Sequence, residues 1–396
     1  MPVGLWILPA LFMFAVTAHA HDAQDHMLVI KAFAKNKQQR NLIAGEGIPI
    51  DGIGSDSVTI FGTHEDLVRI KKLGIKAEIE TSFDDGRGFP KTDDAFHDHA
   101  EVLAEIDKLV AEFPHLVTKL SIGKSVEGRD LAGVRLASPS EFDSRPTTIF
   151  MGCHHAREHL SVEVPLKMAR YLASQYATNA RVKDMLDRTE VYIVPMINPD
   201  GAEYDIQTGS YQYWRKNRRD NGSTFGVDLN RNYGAHFGGP GSSSSPSSDT
   251  YHGPSAFSEP ETQAVRDFVT ARKRTTVLIT FHTFSELILW PYGWTDDQIP
   301  SDTDRRVFET MGNKMATWNG YTAQKSSELY LASGDTTDWA YEDRKIFAYT
   351  FELSPTSMFS GGFYPGAKAI EPTFKANLEP MLYLIEKSEN PYAVLN

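Results

Sequence analysis

Apolar and polar positions along residues 95–396 predict a domain in which strands and helices alternate. Val102, Ile106 and Leu109 recur at helical spacing in a stretch that Pro114 ends, which is typical of a helix with one buried face. Further along the chain, short apolar runs alternate with helical stretches, as in folds built on a buried parallel sheet. These runs are TTIFMGC, VYIVPMIN, TVLITFHTF and FAYTFELS. The pattern predicts an α/β fold with a central mixed, largely parallel sheet flanked by helices.

Residues 21–80 differ from the rest and predict a small α+β unit. LVIKAF, SVTIFG and IKAEIE have the composition of strands, and EDLVRIKKLG has helical spacing with a terminal glycine. The segment that follows, TSFDDGRGFPKTDD at positions 81–94, is rich in Asp, Gly and Pro. Such a composition is typical of an exposed linker, and Arg87 and Lys91 make it a candidate site of proteolytic processing.

The first residues, 1–20, predict a signal peptide. VGLWILPALFMFAV is an apolar run of about 14 residues, shorter than the roughly 20 that a membrane span requires. The small residues in AHA suit a cleavage site, although the amino terminus is the only positive charge before the apolar run. We therefore expect an exported protein, secreted or periplasmic, with no membrane association once the signal has been removed.

Charge and cysteine content narrow the class of function. The 396 residues carry a formal net charge of -12, whereas nucleic-acid binding requires concentrated positive charge. Nucleic acid is therefore excluded as a partner. Cys153 is the only cysteine, so no internal disulfide can form, and we expect it to be a small buried apolar residue.

The stretch FMGCHHAREHL, residues 150–160, contains the residue types of a metal site. One interpretation is an H-x-x-E-H motif, in which His155 and His159 bind zinc from one helix and Glu158 is the base. The other takes only His155 and Glu158 as ligands. The second is favoured because TTIFMGC is a strand and a helix only begins near Glu158, so the two histidines would not share a helix face. His282, at the end of another strand, would complete a His–Glu–His set with an open fourth position, as in catalytic zinc sites.

A set of short motifs extends over most of the chain. HARE, NPDG, WRK, DLNRN, YHG, FHTF, ASGDTTDWAY and TFEL occur in this order within residues 95–390. Each motif is weak alone, but the ordered set is highly specific. In these motifs the chain resembles the zinc carboxypeptidases of the pancreatic A/B type, and most closely their bacterial relatives of the carboxypeptidase T type. The resemblance implies that family's fold, one Zn²⁺ per chain, and removal of C-terminal amino acids.

The resemblance also implies which residues carry the chemistry. The residues that match the family's zinc ligands are His155, Glu158 and His282. Asp228 matches the carboxylate that fixes the orientation of a ligand imidazole. Glu352 matches the general base, and Arg215 matches the arginine that polarises the scissile carbonyl. His154 and His159 are then expected in supporting or surface positions.

Substrate-binding residues follow from the same resemblance. Asn230 and Arg231 match the pair that holds the C-terminal carboxylate of the substrate, and Tyr330 matches a mobile tyrosine. Arg157 matches a subsite arginine. Asp335 matches an aspartate of the carboxypeptidase T type, which implies a mixed preference for apolar or aromatic and for basic C-terminal residues.

The small N-terminal unit has the position of a prosegment, since similar enzymes are made as zymogens whose prodomain covers the cleft. We therefore expect a signal peptide at 1–20, a prosegment at 21–80, a linker at 81–94 and a catalytic domain at 95–396. The expected protein is a monomer that acts on peptides or proteins with a free C-terminus. Two alternatives remain: a cell-wall γ-D-glutamyl-diaminopimelate peptidase of the same fold, and a catalytically inactive binding module.

Overall fold

The computed structural model describes residues 28–82, 93, 95–207 and 211–396. The predicted signal peptide lies outside the described residues, as do positions 83–92 and 94 of the predicted linker. Within the described part of the chain, no helix combines the length and the apolar content that a bilayer crossing requires.

Residues 28–82 form an α+β unit, hereafter the N-terminal unit, around one antiparallel sheet. Its strands and helices are β1 (Leu28–Ala32), α1 (Lys37–Gly45), β2 (Gly52–Ile53), β3 (Val58–Gly62), α2 (His64–Lys72) and β4 (Ala77–Ser82). The strand order is β2-β3-β1-β4, and the sheet and helices enclose a small core that includes Ile30, Ile60 and Ile70. The structure adds α1 and the two-residue strand β2 to the predicted elements. The sequence pattern does not predict this helix because only Ile43 and Ala44 of its residues are buried.

The rest of the chain forms one eight-stranded sheet with helices around it. The strands are β5 (Val117–Lys124), β6 (Asp130–Leu136), β7 (Thr147–Gly152), β8 (Glu190–Val194), β9 (Thr275–Thr283), β10 (Leu287–Trp290), β11 (Thr322–Lys325) and β12 (Phe347–Leu353). The helices are α3 (His99–Glu112), α4 (Leu160–Gln175), α5 (Ala180–Arg188), α6 (Pro199–Ile206), α7 (Pro260–Ala271), α8 (Asp302–Asn319), α9 (Thr336–Arg344) and α10 (Ile370–Lys387). The strand order is β11-β10-β12-β9-β7-β8-β6-β5.

The sheet is mixed, and its middle is parallel. Strands β12, β9, β7 and β8 run in one direction, and β10 also pairs in parallel with β11. Antiparallel pairings join β10 to β12, β6 to β8 and β5 to β6. The expected α/β fold with a central mixed, largely parallel sheet is therefore confirmed.

The two faces of the sheet are covered by different helices. Phe150 of β7 belongs to a core shared with α3, α4, α8 and α10, whereas its neighbours Ile149 and Met151 belong to a second core shared with α7 and α9. Because both faces are covered, the carboxyl ends of the strands are where polar side chains can meet in a crevice. The register places Glu352 of β12 directly beside His282 of β9 at this end.

Candidate metal centre and active site

Three buried side chains converge at the carboxyl ends of β7 and β9. His155 follows β7, Glu158 precedes α4, and His282 lies near the end of β9. One ligand atom from each of these residues lies within 4.8 Å of the others. The Nδ1 atom of His155 is 2.8 Å from Glu158 Oε1, the Nδ1 atom of His282 is 3.0 Å from Glu158 Oε2, and the two Nδ1 atoms are 3.1 Å apart. The Nδ1 nitrogens and the carboxylate therefore face one point.

The other nitrogen of each imidazole is held by a neighbour. His155 Nε2 lies 3.2 Å from Asp228 Oδ1, and His282 Nε2 lies 3.3 Å from the Thr280 hydroxyl. Such contacts fix the tautomer that leaves the Nδ1 lone pair available to a metal. Burial alone would raise the pKa of Glu158, but the two imidazoles lower it below its ordinary value. Two imidazoles and one ionised carboxylate are a donor set that fits zinc with an open fourth position.

Asp228 connects the metal cluster to Arg215. Its Oδ2 atom accepts hydrogen bonds from Arg215 Nε and Nη2 at 3.1 and 3.0 Å. Burial opposes ionisation of Asp228, yet Arg215 and His155 hold its pKa well below the usual range. The guanidinium of Arg215 lines the same cleft as the cluster, so a fixed positive charge stands beside the point on which the ligands converge.

Glu352 and Tyr330 also line this cleft. Burial, reinforced by the negative charge of Glu158, raises the pKa of Glu352 to about 8. Burial likewise raises the pKa of Tyr330. Glu352 is therefore a buried carboxyl group whose pKa is shifted toward neutral pH, as is common for acids and bases in active sites.

Asn230 and Arg231 form a short turn that faces the cleft. The Oδ1 atom of Asn230 accepts hydrogen bonds from the backbone N–H of Thr336 at 3.0 Å and from its hydroxyl at 2.9 Å. Arg231 donates to the backbone oxygens of Gly241 and Asn230 at 3.0 and 2.8 Å. Both side chains are thus held rigidly, as recognition of a planar carboxylate requires.

Comparison with known proteins assigns the family. A family model described as zinc carboxypeptidase matches residues 102–380. The chain belongs to the zinc carboxypeptidase family. It is 34% identical over 389 residues to a zinc carboxypeptidase of Saccharothrix mutabilis subsp. capreolus, covering 90% of this chain and 89% of the relative. It is 36% identical over 286 residues to mouse carboxypeptidase A2, covering 70% of this chain and 67% of the relative.

Solved structures agree in fold. Carboxypeptidase A from Helicoverpa armigera has a TM-score of 0.79 and 25% identity, covering 94% of this chain and 99% of that chain. Thrombin activatable fibrinolysis inhibitor has a TM-score of 0.75 and 23% identity, covering 92% of this chain and 100% of that chain. This zinc carboxypeptidase is therefore a metal-dependent peptide hydrolase, and its cofactor is one Zn²⁺, for which the His–Glu–His cluster provides the donors.

The remaining histidines and the cysteine of residues 150–160 are buried in this zinc carboxypeptidase. His159 Nε2 lies 2.9 Å from Asp205 Oδ2, so it does not join the converging ligand atoms as the H-x-x-E-H interpretation would need. His154 bonds Tyr233 at 2.8 Å, and burial followed by the neighbouring imidazoles lowers its pKa well below the usual value. Neither histidine is on the surface. Cys153 is fully buried, as expected.

Two of the expected substrate residues, Arg157 and Asp335, lie outside the lining of the cleft. Arg157 is completely buried and its Nη2 atom is 2.5 Å from Asp51 Oδ1. Asp335 caps α9, and its Oδ1 atom accepts bonds from the backbone N–H groups of Thr337 and Asp338. Its Oδ2 atom is buried and has no hydrogen-bond partner among the described residues.

The N-terminal unit closes the cleft. Residues 50–53 line it together with the cluster, and the free volume left between them is about 60 Å³, which is room for only a few water molecules. Gly52 lies so close to Phe284 that a Cβ atom at this position would be 2.9 Å from the ring. In this arrangement a peptide chain does not fit between the N-terminal unit and the metal cluster.

Some residues of the site are not found by reading motifs. Thr280 lies two residues before His282 on β9, and strand alternation places both side chains on one face. The contact between Thr280 and His282 could therefore have been predicted from the sequence. Thr336 is part of the ASGDTTDWAY motif but has no assigned role there. Asp51 carries no sequence signal, because its partner Arg157 is 106 positions away.

Proposed function

We propose that the protein is an exported zymogen of a zinc-dependent exopeptidase with mixed preference, which removes apolar, aromatic or basic C-terminal residues. One observation carries the proposal: a single cleft is lined by the His–Glu–His cluster, by Glu352 and by Asn230 and Arg231. Peptide hydrolysis by a zinc enzyme needs the metal and a base, and an exopeptidase that acts at the C-terminus must also bind a free carboxylate. The proximity of all three in one cleft supports the assignment.

In the proposed reaction His155, Glu158 and His282 hold zinc. Bound zinc supplies a Lewis acid that polarises a carbonyl and lowers the pKa of water. Glu352, which lines the cleft beside the cluster, takes the proton of the attacking water and transfers it to the leaving amine. Arg215 stabilises negative charge on the oxygen of the scissile carbonyl, and its bonds to Asp228 hold it in place for this.

The substrate's terminal carboxylate is proposed to bind Asn230 and Arg231. Because the backbone N–H of Thr336 can only donate, the Asn230 atom that faces it is the oxygen. The amide NH₂ of Asn230 is therefore available to donate to a carboxylate. The guanidinium of Arg231 adds a positive charge beside it, and Tyr330 lines the cleft as a further hydroxyl donor.

Asp335 is proposed to extend the preference to C-terminal Lys and Arg. It adjoins Thr336, which holds Asn230, so it lies close behind the carboxylate-binding residues. The buried Oδ2 atom that lacks a hydrogen bond could accept one from a substrate ammonium or guanidinium group. An apolar C-terminal side chain of the substrate would leave that oxygen without a hydrogen bond, as in the present structure. Substrates with apolar C-terminal residues would therefore also be accepted.

The N-terminal unit is proposed to be the inhibitory prosegment. Asp51 binds Arg157, and Arg40 donates to the backbone oxygen of Glu328 at 2.9 Å. The backbone N–H of Leu331 donates to Asn41 Oδ1 at 2.8 Å. The last two contacts hold the backbone at residues 328 and 331, on either side of Tyr330. The N-terminal unit therefore both blocks the cleft and restrains this tyrosine.

Activation is proposed to occur by cleavage in the linker N-terminal to Asp93. Asp93 is buried and accepts bonds from the Tyr211 hydroxyl at 2.7 Å and from the Ala367 backbone at 3.0 Å. These hydrogen bonds hold Asp93 on the catalytic domain, so the cleavage site is proposed to precede it. Removal of the signal peptide at 1–20 would export the precursor, and the active form is proposed to be a monomer.

An assay of the precursor and of linker-cleaved protein tests the proposal. Both forms are incubated with N-blocked dipeptides ending in Phe, Leu, Arg, Lys or Glu, with and without a chelator. We expect cleavage of the Phe, Leu, Arg and Lys substrates only after linker cleavage, and none with the chelator. Glu352→Gln serves as the inactive control.

Other outcomes discriminate the alternatives. Hydrolysis of a γ-D-glutamyl-diaminopimelate peptide, without release of any C-terminal residue from the dipeptides, would identify a cell-wall peptidase. No product from any substrate, from protein that contains zinc, would indicate an inactive binding module. Equal activity of precursor and cleaved protein would refute the zymogen.

A further inference from the structure

A continuous series of hydrogen bonds runs behind the cleft from the metal cluster to the carboxylate-binding turn. His282 Nε2 lies 3.3 Å from Thr280 Oγ1, which lies 3.1 Å from His154 Nδ1. On the other side of the ring, His154 Nε2 lies 3.3 Å from Thr336 Oγ1, and this hydroxyl lies 2.9 Å from Asn230 Oδ1. The members are almost completely buried, so no bulk water competes for these bonds.

The direction of the bonds at the Asn230 end of the series follows from one backbone group. The backbone N–H of Thr336 donates to Asn230 at 3.0 Å, so the receiving atom is Oδ1. The Thr336 hydroxyl must then also donate to Oδ1, and its oxygen can only accept from His154. We assign the His154 proton to Nε2, because only then does the ring donate to the Thr336 oxygen at 3.3 Å, and the same N–H faces the Tyr233 hydroxyl at 2.8 Å.

The same reasoning continues to the metal cluster. With the proton on Nε2, the neutral His154 ring accepts at Nδ1, so the Thr280 hydroxyl donates to it. The Thr280 oxygen then accepts from His282 Nε2–H. This leaves the Nδ1 lone pair of His282 directed toward Glu158 and His155, where a metal would sit.

We infer that His154 is a positioning residue that couples zinc binding to recognition of the substrate carboxylate. In its Nε2–H form it supports the tautomer of His282 through Thr280. It also orients the Thr336 hydroxyl, which gives the Asn230 oxygen a second hydrogen bond besides that of the Thr336 backbone N–H. Its ring also stacks on that of His282, with centroids 5.6 Å apart and planes 17° apart. The inference rests on the proposed roles of His282 and Asn230. It goes beyond them by making the two sites depend on each other.

Two isosteric variants interrupt the series on either side of His154. Thr280→Val removes the contact with His282 and Thr336→Val removes the hydroxyl that joins His154 to Asn230, while His154→Leu removes both links. Thr262→Val is the matched control, because the Thr262 hydroxyl is equally buried and donates to a different amide, Asn232 Oδ1, at 2.6 Å.

Two readouts are measured on each protein. The first is the rate at which zinc passes from the intact full-length protein to a chelator. The second is the dissociation constant of 3-phenylpropionate, which has a carboxylate but no peptide bond, from metal-free linker-cleaved protein by calorimetry. Loss of an outer contact of a metal ligand costs about tenfold or more in metal affinity. We expect about tenfold weaker zinc retention in Thr280→Val and about tenfold weaker 3-phenylpropionate binding in Thr336→Val.

The decisive result is the crossed effect. Thr280→Val should also weaken 3-phenylpropionate binding, and Thr336→Val should also speed zinc loss, each several-fold, whereas Thr262→Val changes neither. The coupling through His154 is refuted if Thr280→Val affects only zinc retention and Thr336→Val affects only 3-phenylpropionate binding. It is also refuted if Thr262→Val produces the same losses. If wild-type protein itself retains no zinc or binds no 3-phenylpropionate, the proposed function fails, and the inference with it.

Discussion

The ion pair between Asp51 and Arg157 makes the strongest test of how the precursor is kept inactive. The proposed perturbation is Asp51→Asn, which removes the charge but keeps an oxygen that can accept the hydrogen bond from the Phe61 backbone, now 2.7 Å long. The side chains of Asp51 and Arg157 are 1% and 0% exposed. The substitution therefore leaves the Arg157 charge buried without its partner whenever the N-terminal unit is docked.

The expected magnitude follows from this burial. Removing one partner of a buried ion pair costs about 3–5 kcal/mol. The lower end applies here, because Asp249 Oδ2 remains 3.9 Å from Arg157 and is partly exposed. A loss of about 3 kcal/mol shifts the equilibrium between docked and undocked N-terminal unit by about 10²-fold, since undocking exposes Arg157 to water.

The assay is hydrolysis of an N-blocked dipeptide by precursor with an intact linker, compared with the same protein after linker cleavage. We expect activity of the Asp51→Asn precursor to rise about 10²-fold over the wild-type precursor, up to the level of the cleaved enzyme. The cleaved enzymes should be equal. Asp56→Asn is the control, because Asp56 is exposed on the same unit. An Asp51→Asn precursor as inactive as the wild type would refute the reasoning.

Three further predictions concern the catalytic domain. Glu352→Gln should lower kcat by about 10²–10⁴-fold while leaving one zinc per chain by metal analysis; loss of the metal as well would assign Glu352 to zinc binding. Asp335→Asn should lower kcat/KM for C-terminal Arg much more than for C-terminal Leu, and equal losses would reject its role in specificity. Burial raises the pKa of Glu261 to about 7, so its contribution to stability is complete below about pH 4.5 and is lost as the pH rises through 7. Glu261→Gln should therefore flatten the decline of thermal stability over that range, by up to about 3 kcal/mol, and an unchanged slope would contradict the assignment.

The residues of the metal cluster could be predicted from the sequence for a physical reason. Apolar runs of the central sheet end directly before His155 and at His282, and the carboxyl ends of parallel strands share one edge. The polar residues at those ends must therefore meet. The order of the motifs then identified Glu352 as a further residue of the site. In the structure its strand, β12, pairs with β9, and Glu352 lies beside His282.

Other features depended on contacts that have no local signature. α1 has too few buried residues for its periodicity to stand out, and its Arg40 and Asn41 bind a segment nearly 290 positions away. His154 could be expected in a supporting position, but its partners come from three separate parts of the chain. Asp335 matches a specificity residue in sequence, yet it lies behind the cleft lining as the cap of α9.

The sequence by itself determined the alternation of strands and helices, the family and the residue types of the centre, because these depend on periodicity and on short motifs. Only the tertiary structure decided that the N-terminal unit lies over the cleft, that Asp51 neutralises Arg157, and which way the hydrogen bonds around His154 run. Those features are set by distances between segments remote in the chain. A close approach such as that of Gly52 to Phe284 exists only after both domains have folded and packed together.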